Sequence, residues 1–149
     1  MPSKITLSVT RGNLKGQHYL FEERTSCIIG RAEGCLPQLP DDPDHSTISR
    51  YHCLLDINPP NIRVRDFGSK NGTYVNGEKI GQRLPEQTPE EGAKMDFPEY
   101  DLQAGDTIKL SSTEFQVAIE VDPGEMKTIE GFRLQRRSFF LYYGILRSR

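Results

Sequence analysis

Long apolar runs are scarce in this sequence. The longest, Phe139–Leu146, is far too short to cross a bilayer. The opening residues, MPSKITLSVTRG, contain no apolar h-region, so no secretory signal is expected. Cysteine is sparse as well. Cys27, Cys35 and Cys53 are odd in number, and their spacing fits no CxxC metal pair, so no metal or cofactor is expected. Cys27 and Cys53 sit inside apolar runs, where a free thiol acts as a small hydrophobe; this favours a reducing, cytoplasmic compartment. A positive charge balance is missing too. The net charge is -2, which argues against a nucleic-acid binder of the basic type. No segment carries a helical period longer than two turns, and no internal repeat is found.

What remains is a string of short strand signals in 149 residues, a length that fits one domain with tails. Ile5, Leu7 and Val9 alternate with polar residues, the period of a half-buried strand. A turn is expected at 12–16, then strands at His18–Phe21 and Ser26–Ile29. A loop rich in Gly, Pro and Asp follows over 30–46. Strands resume at Tyr51–Ile57 and Ile62–Asp66, around an Asn58-Pro-Pro-Asn61 turn. A second polar turn at 68–72 precedes the very short strand Thr73–Val75, and Asn76-Gly77 is the strongest two-residue hairpin signal available. Ile108–Leu110 and Phe115–Glu120, joined by 111–114, close the series. The pattern predicts an all-β fold, a two-sheet antiparallel β-sandwich, over residues 4–121. Residues 84–101, rich in Pro and Glu, read as an inserted acidic loop ordered only in part. Residues 122–149 read as a short tail outside the sandwich.

Charge is unevenly placed. The middle carries Arg50, Arg63, Arg65, Lys70, Lys79 and Arg83 against Asp56, Asp66 and Glu78. The insert and the residues just after it are acidic, with Lys94 the one cation over 84–106. The tail is basic, with Glu130 the one acid over 126–149.

Four short patterns carry chemistry, and all fall in turns or at strand ends, where binding residues usually sit. They are Gly30-Arg31, Ser49-Arg50-Tyr51-His52, Ser69-Lys70-Asn71-Gly72-Thr73 and Val75-Asn76-Gly77. Arg31, Arg50 and Lys70 are cations at loop edges; Ser49 and Asn71 are hydrogen-bonding groups in similar positions. A phosphate dianion needs about this set, one or two guanidinium forks with short neutral donors. Singly, each residue has a plainer role. Arg31 reads as a surface charge, Ser49 as a turn residue, His52 as a structural histidine. Asn71-Gly72 and Asn76-Gly77 read as turns.

In order and spacing, Ile29-Gly-Arg31, Thr47-Ile-Ser-Arg-Tyr-His52 and Asp66-Phe-Gly-Ser-Lys-Asn-Gly-Thr-Tyr-Val-Asn-Gly77 resemble the defining blocks of the forkhead-associated (FHA) family, of the SMAD/FHA sandwich type. Leu102-Gln-Ala-Gly-Asp-Thr-Ile-Lys-Leu110 looks like the entry to that family's penultimate strand. The resemblance implies a phosphothreonine-dependent peptide-binding module in Ser/Thr kinase signalling, not an enzyme, whose partner is a phosphorylated protein such as a kinase or its substrate. It implies that Arg31 binds phosphate or braces its loop, that Ser49 donates its hydroxyl, and that Arg50 and Lys70 supply charge. Asn71 is expected to bond the peptide backbone and His52 to hold the loops together. Gly30 is expected to allow the turn that presents Arg31. Gly72, Asn76 and Gly77 are architectural, and Thr47 lies near where some relatives read a flanking residue. Preference for threonine over serine would rest on a niche for one methyl group, worth about 1 kcal/mol. Two departures stand out: a longer loop between Arg31 and Ser49 with Asp41, Asp42 and Asp44, and the 84–101 insert.

In the tail, Thr128-Ile-Glu-Gly-Phe-Arg-Leu-Gln-Arg136 resembles the opening of a bacterial-type Ser/Thr kinase domain, but no G-x-G-x-x-G follows. The resemblance implies a linker to such a domain, or a remnant of one; a short core helix or docking strand is the alternative for Phe139–Leu146. Three rival functions stand beside this one. A thiol enzyme would need Cys53 and His52 to pair, yet neighbours on a strand point to opposite faces. An FHA-like scaffold for an unphosphorylated partner is the main alternative. DNA binding is opposed by the acidic balance. Thr88 and Thr128 are candidate phosphorylation sites that a second copy could bind.

Overall fold

The computed structural model describes residues 3–121. The kinase-like segment and Thr128 lie outside the described residues. Alternation along β1 (Lys4–Arg11) puts Ile5, Leu7 and Val9 inward, and all three are buried. β10 (Thr113–Glu120) answers with Phe115 and Val117, so that Leu7 stands opposite Val117 and Val9 opposite Phe115. The remaining strands are β2 (His18–Phe21), β3 (Thr25–Ile29), β4 (Cys53–Asn58), β5 (Asn61–Asp66), β6 (Thr73–Val75), β7 (Glu78–Gly81), β8 (Tyr100–Asp101) and β9 (Thr107–Leu110).

Two antiparallel sheets result. One has the order β2-β1-β10-β9-β6-β7, the other β3-β4-β5-β8. Between them lie Ile5, Leu7, Ile108, Leu110 and Phe115 from the first sheet and Ile29, Cys53, Leu55, Ile57, Ile62 and Val64 from the second. Each fully buried Leu, Ile or Phe contributes about 1.5–3 kcal/mol of transfer free energy. This is the expected sandwich, and its strand ends project the site loops from one edge.

Three details differ from the sequence expectation. β4 starts at Cys53 rather than Tyr51; just before it the His52 N–H donates to the Ile29 carbonyl, and the Ser49 N–H donates to the His52 ring. The β9–β10 turn is Ser111-Ser112, tighter than expected, with Ser111 at φ 57°. The insert is structured. It holds the short helix α1 (Pro89–Ala93) and β8, which pairs with β5 through Arg63–Asp101 and Val64–Tyr100. Thr88 caps α1 in a reciprocal capping box: its hydroxyl accepts from Glu91 N at 3.1 Å, and the Glu91 carboxylate accepts from Thr88 N at 2.9 Å.

Candidate functional site

The loop from β5 to β6 is shaped around one buried carboxylate. Asp66 accepts the backbone N–H groups of Gly68 and Ser69, each at 2.8 Å, and the hydroxyls of Ser69 at 2.5 Å and Thr73 at 2.6 Å. Ser69 Oγ in turn accepts from Gly72 N at 2.9 Å. A buried carboxylate would be costly unpaired; here four donors satisfy it and fix the loop. Asp66, Ser69 and Thr73 lie within the motif blocks, but the sequence reading gives them no role in the site. The Asp-x-x-Ser spacing, which suits an aspartate-capped turn, is the signal that could have found them.

His52 ties this loop to its neighbour. Its ring is fully buried. Nδ1 accepts from Ser49 N at 3.0 Å, and Nε2–H donates to the Gly72 carbonyl at 2.8 Å. An amide can only donate and a carbonyl only accept, so both bonds require the neutral Nε2–H tautomer. Burial pushes the His52 pKa below its ordinary value, against smaller opposing contributions from the Gly72 bond and the Asp66 charge.

On this base the expected residues converge. Ser49 Oγ accepts the Lys70 N–H at 2.9 Å, joining the two loops at their tips. Asn71 Nδ2 donates to the Thr47 carbonyl at 2.7 Å, and the Thr47 hydroxyl pairs with that of Ser111. Arg31 is turned inward. Its Nε donates to the Ile48 carbonyl and its Nη1 to Asp41, each at 2.5 Å. The guanidinium therefore spans the long loop that departs from the family pattern. Arg50 and Lys70 differ: no hydrogen bond or ion pair engages either side chain among the described residues, and both are exposed.

Gly30 serves a close approach rather than an unusual turn. A Cβ there would stand 2.0 Å from the Arg50 carbonyl oxygen. That oxygen accepts from Ala32 N at 3.0 Å, which locks the β3 end against the Ser49–His52 loop. Asn76 and Gly77 have φ of 50° and 88°, the two positive values that a tight hairpin requires. Asn76 also holds β9: its Oδ1 accepts from Thr107 N at 3.0 Å and its Nδ2 donates to Asp106 at 3.1 Å.

These loops line a groove of about 490 Å³. Arg31, Thr47, Ser49, Arg50, Lys70 and Asn71 line it, together with Arg83 and with Pro89, Glu90 and Ala93 of the insert. His52, Gly72, Asn76 and Gly77 do not line it.

Residues 27–91 match the FHA domain family model. Over that stretch the chain is similar to the FHA family. FhaB of Mycobacterium tuberculosis is 35% identical over 85 residues, 56% of this chain and 52% of that protein. An oxoglutarate dehydrogenase inhibitor of Corynebacterium efficiens is 31% identical over 104 residues, 70% of this chain and 58% of that one. Among solved structures, an FHA domain studied for phosphothreonine-dependent interactions has a TM-score of 0.57 at 27% identity, covering 77% of this chain and 95% of its own. The chain spans from 2% to 66% of the length of the curated relatives it matches.

Neither Cys53 nor Cys27 is an activated thiol. Cys53, next to His52, is fully buried, and burial first, then the Asp66 charge, pushes its thiol pKa well up. Burial likewise raises Cys27, to about 11. Such thiols have little thiolate at neutral pH. No group of three His, Cys, Asp or Glu side chains that could hold a metal ion occurs among the described residues, and no helix there is long and apolar enough to cross a membrane.

Proposed function

We propose that this chain is a phosphothreonine-dependent peptide-binding module of Ser/Thr kinase signalling, formed by residues 4–121, and that it acts by binding rather than by catalysis. The observation that carries the reading is the state of Ser49. Its oxygen already accepts the Lys70 N–H, so its own proton is left to donate outward, into a groove that Arg50 and Lys70 also border. A phosphate dianion accepts from such a hydroxyl and from cations at once.

Arg31 serves as a brace in this reading, because the Ile48 carbonyl and Asp41 hold its guanidinium. Asn71 keeps Oδ1 for a peptide N–H while Nδ2 stays on Thr47. His52, Gly30 and Gly72 hold the loops; Asn76 and Gly77 hold the hairpin. The partner is a protein carrying phosphothreonine, a Ser/Thr kinase or its substrate. The FHA relative studied for phosphothreonine-dependent interactions supports this choice.

The test is fluorescence anisotropy with a degenerate phosphothreonine peptide library, against the same peptides unphosphorylated or carrying phosphoserine. Micromolar binding that requires the phosphate is expected. Binding to a folded protein that ignores the phosphate would overturn the reading and favour a phospho-independent scaffold.

A further inference from the structure

Arg83 is absent from the four motif blocks, yet it lines the groove with Arg31, Arg50 and Lys70. It stands at the entry to the insert, where α1 meets the loop from β5 to β6 backbone to backbone: a Cβ on Gly68 would lie 2.3 Å from the Gly92 carbonyl carbon. The Arg83 stem packs into that junction. A Cβ on Gly92 would meet its Cβ at 2.9 Å and its Cδ at 3.0 Å. Its backbone N–H donates to Ser69 O at 2.9 Å and its Nη1 to the Gly68 carbonyl at 2.8 Å.

A carbonyl orients a guanidinium but does not neutralise it. Arg11, Arg31 and Arg63 each face a carboxylate, from Glu114, Asp41 and Asp101. Among the described residues no ion pair engages Arg83, and apart from Nη1 its side-chain N–H groups make no hydrogen bond. Glu90, the one carboxylate of the groove lining, forms no ion pair with any of the four cations. These four differ in state. Arg31 is braced and paired. Arg50 and Lys70 are unpaired but exposed, so an anion must order each long side chain at a cost in rotamer entropy. Arg83 is held in place and uncompensated. It is also near the proposed phosphate donor. Its anchor, Gly68, precedes Lys70 by two residues, at most about 7 Å of chain, and the Lys70 N–H is the one that Ser49 Oγ accepts.

We propose that Arg83 is a phosphate-binding residue of this groove, supplying the guanidinium fork that Arg31, held by Ile48 and Asp41, does not. This rests on the phosphothreonine reading above.

The test is anisotropy on the full chain with the phosphothreonine peptide library and its unphosphorylated counterpart, at pH 7.5 and pH 5.5, on protein shown folded by circular dichroism. The phosphate passes from monoanion to dianion at about pH 6, so wild type should bind more tightly at pH 7.5. Arg83→Gln should weaken binding of the phosphorylated library by about 10- to 100-fold at pH 7.5 and shrink the gain between the two pH values. Arg83→Met, which keeps an unbranched stem against Gly92, should match it. With phosphate-dependent binding intact in wild type, two results overturn this inference alone. One is an affinity in both variants within about twofold of wild type; the other is a loss by the same factor at both pH values, which a merely structural role would give. A wild type that binds phosphorylated and unphosphorylated peptides alike overturns the phosphothreonine reading and this one with it.

Discussion

Arg31 and Asp41 stand 2.5 Å apart, nitrogen to oxygen, with the arginine side chain 18% exposed and the aspartate 66% exposed. The aspartate competes with any anion that would use the same guanidinium, and Arg31 lines the groove. Asp41→Asn keeps the shape and removes the charge. Phosphopeptide affinity is expected to rise by about two- to fivefold, the range of a partly exposed pair, as measured by isothermal titration calorimetry. A fall in affinity would mean that the pair chiefly positions the loop.

Ser49→Ala removes the proposed phosphate donor and also the acceptor for the Lys70 N–H. A hydrogen bond to a charged group is worth about 1.5–3 kcal/mol, so affinity should fall by about 10- to 100-fold. Anisotropy titration with a single phosphothreonine peptide reads this directly. Thermal melting, run in parallel, should move far less than in the His52 variants.

His52 makes stability depend on pH. Its folded pKa lies below the ordinary value of 6.5, so the unfolded chain takes up the proton first. The stabilisation is complete above about pH 6.5 and is lost as the pH falls through that value toward the folded pKa. Urea unfolding at pH 7.5 and pH 5.5 should give a loss that His52→Gln largely abolishes. At pH 7.5, His52→Ala should itself cost about 2–4 kcal/mol, because it leaves a cavity and strands the Gly72 carbonyl.

Gly30→Ala should be severe although Gly30 needs no unusual backbone angle. The new methyl group would meet the Arg50 carbonyl at 2.0 Å, and backbone cannot give way as a side chain can. Overpacking of this kind costs about 1–3 kcal/mol or more, visible as a lower denaturation midpoint. The same variant should lose phosphopeptide affinity, because it parts the loops that Ser49 and Arg31 share.

Thiol chemistry provides a further check. In the native protein at neutral pH, a disulfide reagent should leave Cys53 unmodified and react slowly with Cys27. All three free cysteines should react at once in denaturant. Rapid labelling of native Cys53 would contradict its burial.

The strands were legible wherever burial follows a local period. β1 alternates, β2 and β6 fall at their expected limits, and Asn76-Gly77 encodes its own hairpin. The convergence of Ser49, Lys70, Asn71 and Thr47 is long-range, and only the family pattern pointed to it. Residues 84–101 escaped local reading for a related reason. A five-residue helix has no period to detect, and Pro and Glu suggest a solvated loop. Its order comes from the Gly68–Gly92 contact, between residues far apart in sequence. The Thr88-Pro-Glu-Glu91 capping box is a local signal that the Pro- and Glu-rich composition masks. Arg31 shows a different limit: sequence placed it at a loop edge, but only geometry shows its guanidinium committed to Ile48 and Asp41.

The placement of β10 bears on how the molecule is made. Among the described residues it is the last strand, yet it lies between β1, the first, and β9. On a ribosome the first sheet therefore lacks its central strand until residue 120 has cleared the exit tunnel. Until then β1 offers an open edge with Ile5, Leu7 and Val9 uncovered by Phe115 and Val117. Nascent chains paused short of that point are the ones most in need of a chaperone.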